Sequence, residues 1–68
     1  MNSWIRVEGK DNEGNNFVVT AEIDKYGKLS STGKLSNLFF WMKQEGWGVL
    51  RIKKYCEDLG WKFDWYQG

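Results

Sequence analysis

Apolar and polar residues alternate near the start of the chain. Trp4-Ile5-Arg6-Val7-Glu8 switches sides at each step and carries β-branched residues at 5 and 7, the pattern of a half-buried strand. Asp11-Asn12-Glu13-Gly14-Asn15-Asn16 is dense in residues that tolerate left-handed backbone, so it reads as a loop. Phe17–Ile23 follows, with Phe17, Val19, Ala21 and Ile23 on one face of a second strand. The two runs predict a hairpin closed by a loop rather than a two-residue turn. Asp24-Lys25-Tyr26-Gly27-Lys28 is a second turn signal, with Asp at its first position and Gly27 where positive φ is needed. A short third strand over Lys28–Ser31 is allowed, and Ser30-Ser31-Thr32-Gly33 is a loop.

The period then changes to helical. Ser36 is placed to cap a helix N-terminus, and Leu38, Phe39, Trp41 and Met42 recur at helical spacing. Lys43 falls in the last turn, and Gly46 suits the left-handed position that ends the helix. Val49, Ile52, Cys56 and Leu59 define a second helical face, stopped in the same way by Gly60. Each glycine is followed by Trp. A Schellman ending would fold Trp47 back toward Met42 and Trp61 toward Cys56. A strand over 49–56 is the rival reading. Alternation fails at Val49-Leu50 and Lys53-Lys54, so helix is preferred. Glu57 and Asp58 oppose the helix dipole, and Lys53–Glu57 and Lys54–Asp58 offset part of that at i,i+4 spacing. Trp61-Lys62-Phe63-Asp64-Trp65 alternates again as a last strand. The order β-β-(β)-α-α-β predicts an α+β fold, a small antiparallel sheet with two short helices on one face.

Sixty-eight residues support a single domain, 1–68, with one thin core. Five Trp, four Phe and three Tyr argue against disorder. One Cys and no His leave no intrachain disulfide and no ligand set for structural zinc, so neither metal nor cofactor is expected. No apolar run approaches the ~20 residues of a membrane span. The N-terminal residues lack the basic and apolar regions of a signal peptide. The expected setting is the cytoplasm, that of the host cell if the protein is virus-encoded.

A net charge of +1 hides an asymmetry. Residues 1–24 sum to −3, residues 25–54 to +6 and residues 55–68 to −2. Lys25, Lys28, Lys34, Lys43, Arg51, Lys53 and Lys54 face only Glu45 in the central segment, which can therefore form a basic surface if these positions converge.

Catalytic chemistry is poorly supplied. Without His the usual general base near neutral pH is missing. Ser30, Ser31 and Thr32 near Lys28 and Lys34 read as a polar loop rather than a Ser–Lys pair. Asp11–Asn16 departs from a calcium loop, because Asn16 stands at the sixth position, where that loop needs Gly. Gly46-Trp47-Gly48 is no phosphate fingerprint, and Cys56 on the apolar helical face reads as a small core hydrophobe. No enzyme is expected.

The aromatics are the remaining clue. Trp4, Phe17, Phe39, Trp41, Trp61 and Phe63 are assigned to the core. Some of Tyr26, Phe40, Trp47, Tyr55, Trp65 and Tyr66 must then be exposed, where Trp and Tyr favour interfaces or base stacking. The candidate partner-binding set is Lys25, Tyr26, Lys28, Lys34, Lys43, Trp47, Arg51, Lys53, Lys54 and Tyr55. The preferred reading is a non-enzymatic protein-binding accessory or inhibitor module of the small phage type. The alternative is a nucleic-acid-binding module whose residues 25–54 contact DNA or RNA phosphates. An isoelectric point near 7.8 favours the first. Homo-oligomerisation is a third use of the same surface.

Overall fold

The computed structural model describes residues 3–30 and 35–67. Three strands, β1 (Ser3–Lys10), β2 (Asn16–Ile23) and β3 (Lys62–Tyr66), form one antiparallel sheet in the order β2-β1-β3. Helices α1 (Asn37–Gln44) and α2 (Val49–Asp58) lie between β2 and β3 in sequence. The fold is the small α+β arrangement that the pattern predicts, and residues 49–58 are helix rather than strand.

Strand parity decides what is buried. Ile5 and Val7 sit opposite Ala21 and Val19 on one side, and opposite Trp65 and Phe63 on the other. These positions face the helices. Ile5, Val7, Ala21 and Ile23 close on Phe39 and Met42 of α1 and Val49, Ile52 and Cys56 of α2, with Leu29 completing the core. The even positions of β1 face away. Trp4, placed in the core by its size, is exposed there and stacks on Tyr66 of β3, ring centroids 4.6 Å apart. It shares that face with Arg6, which reaches Asp64 at 3.9 Å and Glu8 at 3.4 Å.

Both turns are built by the same device. Asp11 Oδ1 accepts from the N–H groups of Glu13 and Asn15, and Asp24 Oδ1 accepts from those of Tyr26 and Lys28. In each, the glycine three residues on takes the left-handed backbone the turn requires, Gly14 at φ 82° and Gly27 at φ 80°. The carboxylate of Asp11 is thus engaged by its own loop, which accounts for the run without a calcium ion. After the second turn Leu29 bridges to Ile23 and Lys28 to Gly48. The third strand allowed over 28–31 is reduced to these two single bridges, because the segment divides its pairing between β2 and the α1–α2 connection. Ser31, Thr32 and Gly33 of the expected loop lie outside the described residues.

The helix stops follow the Schellman pattern. Gly46 N–H donates to Lys43 O and Trp47 N–H to Met42 O; Gly60 N–H donates to Glu57 O and Trp61 N–H to Cys56 O. Ser36 caps α1 through the Phe39 N–H, and Gly27 O receives the first N–H of α2, that of Val49, at 2.7 Å.

The second stop delivers Trp61 onto the sheet. Its indole lies against Gly9, where a Cβ would clash with Cδ1 of the ring, and its Nε1 donates to Lys10 O at 3.3 Å. Phe17 packs edge-on to it at 5.0 Å. A side chain at position 9 must displace this indole. Gly9→Val is therefore expected to destabilise the fold by about 1–3 kcal/mol, the usual cost of overpacking, measurable as a lower denaturant midpoint. Gly9→Val with a wild-type midpoint would contradict this packing.

Candidate functional site

A helix of eight residues and one of ten cannot enclose all the rings that their sequences carry. Phe39 is fully buried, while Phe17, Trp61 and Phe63 are only partly covered against the core. Trp41, also assigned to the core, is 41% exposed. It points away from the Phe39–Met42 stripe of α1 and meets Trp47 at 5.1 Å and Tyr55 at 5.8 Å. Trp47 and Tyr55 are 5.3 Å apart. All three pairs are edge-on, with interplanar angles of 61–63°, the geometry the ring quadrupoles favour. Tyr55 then touches Trp61 at 5.9 Å, so a continuous aromatic band runs from the α1–α2 connection to Phe17 on the sheet.

The local sequence explains the placement. Trp47 sits between Gly46 and Gly48, and the Schellman bond from its N–H fixes its direction. Arg51, four residues on, lays its guanidinium over the Trp47 ring with Cζ 4.7 Å from the centroid, a desolvation-dependent contact of about 0.5–2 kcal/mol. Tyr55 is one further turn along the same face of α2.

Two open clefts flank Trp47. One, of about 350 Å³, is lined by Asp24, Lys28, Leu29, Lys43, Gly46 and Trp47. The other, of about 580 Å³, is lined by Trp47, Leu50, Arg51, Lys54, Tyr55 and Asp58. Beyond Tyr55 a wider cleft of about 850 Å³ runs past Leu59, Trp61 and Phe17 to Leu38 and the start of α1. Lys54 is paired with Asp58 at 3.8 Å across strongly exposed side chains, so that pair constrains little.

Six of the ten residues singled out in the sequence thus surround one point: Lys28, Lys43, Trp47, Arg51, Lys54 and Tyr55. Lys25 and Tyr26 stand apart on the outside of the 24–28 turn, the ammonium 5.2 Å from the ring centroid, beside Ser3, Trp65 and Gln67. Lys53 is exposed on α2 about 200° around the helix from Arg51. Lys34 lies outside the described residues. Sequence reasoning missed Trp41 and Leu50. Leu50 is 71% exposed, and its position off the Val49–Ile52–Cys56 stripe was the available signal.

No protein-family model matches the chain, no curated protein is detectably similar to it, and no solved structure resembles it. Among the described residues no cluster of three or more metal-ligating side chains occurs, and no helix is long and apolar enough to cross a membrane.

Cys56, fully buried on the core side of α2, has its thiol pushed up from 9.0 to about 11 by burial, with the Glu57 charge adding to it. The folded protein therefore holds this proton more tightly than the unfolded chain. The resulting stabilisation is complete below pH 9 and is lost as pH rises toward 11. In Cys56→Ala the fall in stability between those pH values should be shallower than in the wild type, as read by chemical denaturation. Equal slopes would contradict it. The native thiol should also react slowly with iodoacetamide at pH 8 until the chain is unfolded.

Proposed function

We propose that the protein is a non-enzymatic protein-binding accessory or inhibitor module, of the small phage type. It seats an acidic segment of a partner on the face formed by Trp41, Trp47 and Tyr55. The observation that carries this reading is the aromatic triad, in which Trp41 is exposed and Trp47 and Tyr55 are half-buried, with cations along its rim. An apolar, aromatic centre with a charged rim is the anatomy of a protein interface, and Trp, Tyr and Arg dominate such hot spots. Lys28, Lys43, Arg51 and Lys54 outnumber Asp24 and Asp58 along the two clefts. Asp24 is already engaged by its turn, and Lys54 and Asp58 offset each other, which leaves Lys28, Lys43 and Arg51 as the excess. An acidic partner is thus the complementary one. The single reduced thiol suits a reducing compartment, and a cytoplasmic setting belongs to the proposal.

The same cations can be read as phosphate contacts, with Trp47 or Tyr55 stacking on bases. The ring geometry favours protein. Stacking needs an open ring face, whereas Arg51 occupies one face of Trp47 and the three rings pack edge-on to one another.

The test is capture from nuclease-treated host lysate, followed by affinity measurement on the retained partner. Trp47→Ala should weaken binding by about 2 kcal/mol or more, roughly thirtyfold. The double change Lys43→Gln/Lys54→Gln should cost less and chiefly slow association. Loss of every partner after nuclease, together with a gel shift whose log affinity falls with log salt at a slope of about −3 to −4, would replace this reading with the nucleic-acid one.

A further inference from the structure

The sheet has two edges, and they are not equivalent. At the β2 edge, Ser30 N–H donates to Glu22 O and Leu29 bridges to Ile23, so the end of that edge is covered by the chain itself. At the β3 edge nothing among the described residues pairs with the strand. The alternation of hydrogen bonds fixes which groups are free there. Because Glu22 O points outward, Glu22 and its partner Trp4 form a pair not hydrogen-bonded to each other. Trp4, Arg6 and Glu8 therefore direct their backbone groups to Tyr66, Asp64 and Lys62. Phe63 and Trp65 direct theirs away from the sheet, as a row available to another strand.

We propose that this edge is an interface between two copies of the chain, joined β3 to β3 about a two-fold axis at Phe63 into a six-stranded antiparallel sheet. Two features select that occupant and that register. First, the free groups lie on odd positions, so a symmetric pairing must centre on an odd residue or midway between two, on Asp64. Centring on Asp64 sets two like charges directly opposite each other, which is unfavourable. Second, centring on Phe63 places Lys62 of each copy opposite Asp64 of the other, twice, in the closer and non-hydrogen-bonded kind of pair. Within the chain Lys62 stands opposite Glu8 and Asp64 opposite Arg6, but among the described residues Lys62 makes no ion pair within 4 Å and Asp64 only the 3.9 Å contact with Arg6. Charges on an edge strand usually deter pairing. Here they alternate in sign along the edge, which makes them self-complementary under a two-fold. In this arrangement Phe63 exchanges both backbone hydrogen bonds with its own counterpart, and Trp65 lies opposite Trp61. The helical aromatic face stays open, so the proposal does not rest on the reading of that face.

Sedimentation equilibrium of the full chain from about 10 μM to about 1 mM covers the affinity range of so small an interface. The expected result is a reversible species of twice the 8.0 kDa chain mass. Asp64→Lys, which sets Lys opposite Lys, should weaken association about tenfold or more. The swap Lys62→Asp/Asp64→Lys should restore it. Because the swap contains the weakening substitution, restoration separates the interface from any effect on folding, which circular dichroism monitors. Trp47→Ala should leave association unchanged. A chain monomeric throughout the range overturns the proposal. So does a dimer insensitive to charge at 62 and 64, and so does a dimer lost in Trp47→Ala, which would place self-association on the helical face.

Discussion

Strand β1 is paired along both of its sides, and the rest of the molecule depends on that double pairing. On one side it meets β2, its neighbour in sequence, through a local turn. On the other it meets β3, which the chain reaches only after both helices, so that Trp4 lies opposite Tyr66. The second ladder closes the loop that contains both helices and traps them against one face of the sheet. With a core of ten buried side chains among the described residues, there is little else to hold the two ends together. The contacts that seal this closure are equally long-range: Trp61 Nε1 on Lys10 O, the Trp61 indole over Gly9, and Trp65 Nε1 on Ser3 Oγ at 2.8 Å. Closing so long a loop costs entropy before any of these contacts repays it, so the last strand is expected to dock late in folding.

The two helix stops connect this frame to the candidate site. Each Gly-Trp pair ends a helix with the same hydrogen bonds and then uses its Trp differently. Trp61 is turned onto the sheet and becomes part of the closure. Trp47 stays at the surface between two short helices and becomes the centre of the aromatic face. Tyr55 touches both indoles, so the structural and the candidate functional aromatics form one packed band. The face is therefore held by the same packing that holds the fold.

Charge follows the same division. The cations of residues 25–54 do not make a uniform basic surface. Four of them collect around Trp47 because the 24–28 turn is hydrogen-bonded to the start of α2, which brings Lys28 beside Lys43 and within reach of the Trp47 clefts. Lys25 and Lys53 point elsewhere; of the acidic residues at the chain's two ends, Glu8 and Asp64 lie on the opposite sheet face, while Asp24 and Asp58 reach the clefts. A chain of near-neutral net charge thus carries a small cationic rim around Trp47.

What could be read from the sequence alone is what short-range bonds decide. The Asp-x-x-Gly turns, the Ser36 cap and the Gly46 and Gly60 stops each involve groups within five residues of one another, so their residue types carry the signal. The alternation in β1, β2 and β3 and the Val49–Ile52–Cys56 stripe likewise follow from local periodicity, though Leu59, expected on the same stripe, is half exposed as the C-cap of α2. Trp4 was legible too: it shares parity with Arg6 and Glu8, and parity outweighs size in deciding which face a strand residue takes. Only the tertiary structure decided the rest. Trp41 is exposed because the core needs just one stripe of a two-turn helix, and Phe39 and Met42 already fill it. Gly9 is required by an indole fifty-two residues away. The convergence of Lys28, Lys43, Arg51 and Lys54 on Trp47 depends on how a turn docks against a helix start. Each of these is set by distances between elements, and no local pattern of residues encodes such distances.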